Sequence, residues 1–153
     1  MRALDLIPLR FSPFSPRKKK EVLKFFSELS KESRMMYTTD GIDPETLYAQ
    51  FRSGWKYHTY ILVYYGKEMV GLVRLLQYNK VGKIEGIAVA DRYQGKGIGT
   101  RIVKYIIALA MLNGIRVLRA EVKKENKKSY RLFSHLGFKV TKRDSLIHLE
   151  REL

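Results

Sequence analysis

Residues 94–100 read Gln94-Gly95-Lys96-Gly97-Ile98-Gly99-Thr100, with glycine at every second position from 95 to 99. Residues of this type at this spacing can hold an anion. Glycine lets the backbone take left-handed conformations, and successive free N–H groups then converge in front of the turn. If a helix starts at the turn, its positive end adds to the attraction, and a phosphate is the natural occupant. Two familiar phosphate loops do not fit. Lys96 is out of frame for Gly-x-x-x-x-Gly-Lys-Ser/Thr, and counting from Gly95 puts Thr100 where Gly-x-Gly-x-x-Gly needs its last glycine. The spacing present is Gln-x-x-Gly-x-Gly.

The loop must be positioned by a strand before it and a helix after it. An apolar run, Ile84 to Ala90, in a strand that starts at Lys83, precedes it, and Ile98, Ile102, Ile106 and Ala110 recur at helical spacing behind it up to Asn113 and Gly114. Ile115 to Val122 reads as a second strand, parallel to the first because a helix crosses between them. Upstream, Tyr57–Tyr65 and Met69–Tyr78 alternate as strands around Gly66-Lys67, giving a meander into the loop. Leu4–Arg10 predicts a first strand. Ser15 and Pro16 open a helix carrying Val22, Phe25, Phe26 and Leu29. Ser33–Gly41 reads as a loop containing Met35, Met36 and Tyr37, and Asp43–Gly54 as a short helix. Asn126–Leu136 predicts a helix ended by Gly137, and Phe138–Thr141 and Leu146–Leu149 are the last strands.

Two stretches together resemble a known family. Ile84-Glu85-Gly86-Ile87-Ala88-Val89 with the glycine loop is similar to the acetyl-CoA signature of the GCN5-related N-acetyltransferases (GNAT). Asn126-x-x-Ser129-x-x-Leu132-Phe133-x-x-Leu136-Gly137-Phe138 resembles the second signature of that family, in the right order and after the right elements. The resemblance implies one α/β (α+β) domain over residues 1–153. Its central mixed sheet would have six to seven strands, splayed at the acetyl-CoA site and flanked by about four helices. In motif detail the chain is similar to ribosomal-protein alanine and other protein N-acetyltransferases.

The implied chemistry is acetyl transfer from acetyl-CoA to a primary amine by direct attack in a ternary complex, without a metal. Carried over by position, Ile87, Ala88 and Val89 meet the pantetheine arm and the acetyl carbonyl. The N–H groups of Gly95, Lys96, Gly97, Ile98, Gly99 and Thr100, introduced by Gln94, hold the diphosphate. Asn126 and Ser129 touch the arm, and Phe133 lies near the thioester sulfur. An amine of pKa near ~10.4 is protonated at neutral pH and needs a proton acceptor. Glu121 and Glu85 are the candidates, each also readable as a strand residue paired with a neighbouring Lys or Arg. The family's usual acid is a tyrosine where this chain has Phe133. Tyr130, one turn earlier, is the candidate substitute, the alternative being a thiolate that leaves unaided. The resemblance implies that the two helices between the first two strands border the acceptor cleft, with Met35, Met36 and Tyr37 readable either as its lining or as core.

Composition bounds the rest. The 153 residues include no cysteine, which removes disulfides, thiolate nucleophiles and sulfur-ligated metals. His58, His135 and His148 show no metal spacing. No stretch has the ~18 apolar residues of a membrane span, and a cytoplasmic location is expected. A homodimer is compatible with the pattern. The formal net charge of +15 attracts polyanions, so a basic nucleic-acid-binding module is a competing reading. A non-catalytic acyl-CoA sensor of the same fold is another. The acceptor's identity is not legible.

Overall fold

The computed structural model describes residues 8–37, 45, 49 and 57–153. Seven strands form one sheet in the order β1-β2-β3-β4-β5-β7-β6. They are β1 (Leu9–Pro13), β2 (His58–Tyr65), β3 (Glu68–Tyr78), β4 (Val81–Val89), β5 (Val117–Lys123), β6 (Lys139–Arg143) and β7 (Leu146–Glu152). Neighbours pair antiparallel except β4 and β5, which run parallel as the crossover requires. The α-helices described along their length are α1 (Lys19–Glu28), α2 (Lys31–Tyr37), α3 (Ile98–Leu112) and α4 (Lys127–His135), with single 3-10 turns at Pro16–Lys18 and Asp91–Tyr93.

The sheet is covered on both faces, because successive strand residues point to opposite sides. On one face Ile61, Val63, Val73, Leu75 and Ile84 meet Ile102, Val103, Ile106 and Ala110 of α3, and Leu118, Ala120, Val122, Phe133 and Leu149 extend the same core. On the other, Tyr60, Leu62, Tyr64, Leu72 and Ala88 meet Val22, Phe25 and Phe26 of α1. Pro16 starts the first helical turn behind Ser15, as expected from its fixed φ.

The strand expected over Leu4–Arg10 falls on described residues only from Pro8; Leu9 and Arg10 open β1, which runs on to Pro13. It pairs residue by residue with Ile61–Tyr65 and ends at Pro13, which an edge strand tolerates. Ser33–Tyr37 is helix rather than loop. Ser30 Oγ accepts the Ser33 N–H at 3.1 Å, and the Ser30 N–H is in turn held by Asp91 Oδ1 at 3.0 Å. A capping serine and a carboxylate from a distant loop therefore start α2. The predicted helix Asp43–Gly54 lies outside the described residues apart from 45 and 49.

Ile102 is fully buried between α3 and the sheet. Ile102→Ala is expected to cost about 2–5 kcal/mol by urea denaturation; a loss well below that range would mean that α3 is not seated as described.

Candidate active site

β4 and β5 pair only from Val81↔Val117 to Ile84↔Ala120. Beyond that point each strand keeps its other neighbour. β4 stays with β3 through Val89↔Gly71, and β5 stays with β7 through Lys123↔Leu146. The sheet therefore opens into a fork. A bulge sets the parting: Arg74 pairs with Gly86 and Leu75 with Ile84, leaving Glu85 as the extra residue. Such an insertion bends and twists its strand. On the side facing β5, backbone groups of Ile87–Val89 have no ladder partner.

At the wide end of the fork the glycine loop turns into α3. Gly97 is the N-cap at φ +82°, and Gly95 has φ +75°. Gly97 offers no capping side chain, so the N–H groups of Ile98, Gly99 and Thr100 open the helix unsatisfied by a cap. A Cβ built at Gly95 or Gly97 meets nothing within 4 Å. Glycine is needed there for its positive φ, and the space in front of the amides is open. A cavity of about 540 Å³ lies over fork and loop. Of the residues expected at a diphosphate and pantetheine site, Ile87, Ala88, Val89, Gln94, Gly95, Gly97, Ile98, Gly99, Asn126 and Ser129 line it. Lys96 and Thr100 belong to the same loop but are not among the lining residues.

Side chains hold the cavity walls. Gln94 Nε2 donates to Val89 O and Ser33 Oγ, both at 2.9 Å, tying the loop to β4 and α2. Asp91 accepts the Ser30 N–H, and that bond holds its carboxyl below the usual range. Asn126 Oδ1 caps α4 by accepting the Ser129 N–H at 3.2 Å. Lys127, Lys128 and Arg131 line the side formed by α4, and Glu32 and Asp91 the side nearest α2. Phe133 does not line the cavity. It is buried in the core with its ring 5.1 Å from that of Phe138. Tyr130 is partly buried beneath the Arg143 guanidinium, which lies 5.8 Å from its ring centre.

The two carboxylates stand where the fork begins. Glu85 follows Ile84 on β4 and Glu121 follows Ala120 on β5, each the first residue past the last paired position. Their environments differ. Glu85 is nearly buried, with Oε2 2.8 Å from Arg74 Nη2 and Oε1 3.0 Å from His58 Nε2. Arg74 itself is 1% exposed, and the Tyr60 hydroxyl is buried close by. Burial holds the His58 imidazole below its ordinary pKa of 6.5, opposed by the Glu85 charge, and burial raises that of Tyr60. Glu121 is a quarter exposed, 2.9 Å from Lys83 Nζ and 3.7 Å from His148 Nδ1. That is the strand-pairing alternative foreseen for it. His148 Nε2 lies 2.9 Å from Asp144 Oδ1.

Sequence reasoning missed His58 and Arg74. The available signal was Arg74 inside Met69–Leu76, a charge in an otherwise apolar strand that needs a buried partner.

Comparison with known proteins agrees with this geometry. The acetyltransferase (GNAT) family model matches residues 23–138, and the chain belongs to that family. A spermidine N(1)-acetyltransferase of Escherichia coli K12 is 39% identical over 80 residues, a match spanning 48% of this chain and 41% of that protein. The matched stretch is thus well under two thirds of that relative's length. Among solved structures, the GNAT domain of S. lividans PAT superposes with a TM-score of 0.82 at 21% identity, over 95% of this chain and 90% of that one. The PaiA N-acetyltransferase of Thermoplasma acidophilum, crystallised with coenzyme A, gives 0.80 at 17% identity, over 95% and 99%. These likenesses establish the mixed α/β GNAT fold, which among the described residues comprises the seven-stranded sheet and helices α1–α4. The narrower likeness to ribosomal-protein alanine acetyltransferases is not singled out by them.

Gly97→Ala forces a side chain into a left-handed backbone position, costing about 1–2 kcal/mol unless the loop turns its amides away. Calorimetry with coenzyme A is expected to show roughly tenfold weaker binding; unchanged affinity would contradict the amide cradle.

Proposed function

We propose that the protein transfers an acetyl group from acetyl-CoA to a primary amine of a protein or small molecule. The observation that carries this reading is one cavity shared by two features: the uncapped helix start behind Gly97 and the fork between β4 and β5. The first suits a diphosphate. The second suits an extended arm that adds to a strand by hydrogen bonding. Lys127, Lys128 and Arg131 supply positive charge for the remaining phosphate of the nucleotide. Membership of the family and the named activity of the matched relative support the same reaction.

The acceptor arrives as an ammonium and loses its proton to the Glu85–His58 pair. Arg74 occupies Oε2 of Glu85, so the proton is taken up between Oε1 and His58 Nε2. Burial keeps the imidazole neutral at rest and ready to share that proton. The neutral amine then attacks the thioester carbonyl. The C–N bond forms, the oxyanion is met by backbone N–H groups of the fork such as that of Val89, and as the C–S bond breaks the proton still carried by the attacking nitrogen passes to the departing sulfur. The thiolate leaves without a dedicated acid: Phe133 carries no proton, and Tyr130 is held against Arg143. Glu121, paired with Lys83, serves as the counter-charge on the opposite tine rather than as the base.

Thiol release on an amine panel tests this. Glu85→Gln is expected to lose about 10²-fold or more in kcat with coenzyme A binding intact, and Glu121→Gln to lose far less. The reverse order would move the base to β5. No turnover on any amine by the native chain, with coenzyme A still bound, would leave a sensor. The acid limb of the kcat/KM profile is expected below pH 6.5, because burial depresses His58 and activity rises as the imidazolium deprotonates. His58→Gln should abolish that limb; a profile unchanged by the substitution would remove His58 from the proton's path.

A further inference from the structure

The base of the fork already holds a primary amine. Lys83 precedes Ile84, the last residue of β4 paired with β5, and Glu121 follows Ala120, the last residue of β5 paired with β4. Lys83 Nζ lies 2.9 Å from Glu121 Oε1, so the lysine side chain reaches across the joint to the first unpaired position of β5. Alternation settles its face. Ile84 packs toward α3, so Lys83 projects from the other side of the sheet, where Glu85 meets Arg74 and His58. The register agrees: Leu76 is the shared partner of Lys83 and His58, and His148 is the partner of Glu121.

Stability alone gives little reason for this amine. Lys83 and Glu121 are 31% and 25% exposed, and an ion pair so open to water contributes little and parts readily. Its place relative to the cofactor site is more telling. A diphosphate on the amides behind Gly97 sits at the wide end of the fork, so the arm that follows it runs down β4 toward the base. The cavity lining on β4 begins at Ile87, two residues or roughly 7 Å beyond Glu85. The thioester at the far end of the arm therefore arrives just above Lys83, whose flexible stem can follow it.

We infer that Lys83 is a self-acetylation site, a reading that rests on acetyl-CoA as the bound cosubstrate. Glu121 takes one proton from the Lys83 ammonium and later gives it to solvent. The neutral Nζ attacks the thioester carbon and the C–N bond forms. The C–S bond breaks, and the second proton leaves the nitrogen for the sulfur, giving acetyl-lysine and free coenzyme A. An amide is a poor acyl donor, so the acetyl group stays on the chain instead of passing to an acceptor. The modification replaces a cation at the base of the fork by a neutral amide, leaving the Glu121 charge to face what enters.

The test incubates the full chain with acetyl-CoA and no added amine, and maps acetylated lysines by peptide mass spectrometry over time. Two lysines serve as internal controls. Lys24 stands 4.0 Å from Glu28 on α1, beside a carboxylate but away from the fork. Lys128 lines the cavity from α4, beside the cofactor but away from the base of the fork. Lys83 is expected to react about a hundredfold faster than either, because its amine is held by the thioester. The rate per chain should not change on dilution of the protein, and excess coenzyme A should suppress it. Glu121→Gln should slow modification of Lys83 by about tenfold or more while Lys24 and Lys128 keep their rates. An unmodified Lys83, or one no faster than Lys24, overturns the inference. So does a rate that falls with dilution, which would mean one chain acetylating another. A rate unchanged or raised in Glu121→Gln would overturn the assigned step. Calorimetry on the same sample separates the two readings: coenzyme A bound with Lys83 untouched defeats the inference alone, and no binding defeats the acetyl-transfer reading with it.

Discussion

The structure depends on the parting of β4 from β5 after Ile84↔Ala120. Up to that pair the sheet is continuous. Beyond it, each strand keeps a ladder partner on one side only, β4 with β3 and β5 with β7. Unpaired backbone groups inside a protein are costly unless something else bonds to them. A fork is therefore a built vacancy for an extended, hydrogen-bonding ligand. One continuous core runs beneath both half-sheets, with different side chains seated under each. α1 and α3 clamp the β2–β3–β4 side, whereas Phe133, Phe138 and Leu149 hold β5 and β7.

The same parting brings the buried charges into place. Had β4 run on without a bulge, strict alternation would have placed Glu85 and Ile87 on one face. With the extra residue, Ile87 packs on the α3 side while Glu85 reaches Arg74 and His58 on the other. A guanidinium that is 1% exposed has lost its water, and only a carboxylate held at 2.8 Å makes that tolerable. Removing either partner leaves the other's buried charge without its counter-ion. The cluster therefore couples stability to chemistry: the carboxylate that anchors Arg74 also faces the imidazole.

Much of this was legible in the residues. The strand–turn–helix order around residues 94–100 followed from a two-residue period giving way to a 3.6-residue period across glycines, and the parallel pairing of β4 and β5 followed from the crossover. What escaped was decided at long range. α2 begins where it does because Asp91 reaches back to the Ser30 N–H, sixty-one positions away. β1 is placed by its register with β2 rather than by its own apolar pattern. The Glu85–His58–Arg74 cluster needed the bulge, and nothing within a single strand's sequence announces a bulge on its neighbour. Phe133 matched its motif position, yet its ring is spent on Phe138 in the core.

The central claim is that the amides of residues 95–100 and the open side of β4 form one receptor for coenzyme A. The most direct measurement is a titration of the isotope-labelled protein with coenzyme A, followed by amide nuclear magnetic resonance. The account predicts that the amide signals of Gly95–Thr100 and of Ile87–Val89 move together at one saturating stoichiometry, while those of β1 and β6 stay still. Signals of the glycine loop that remain unmoved at saturation would contradict it.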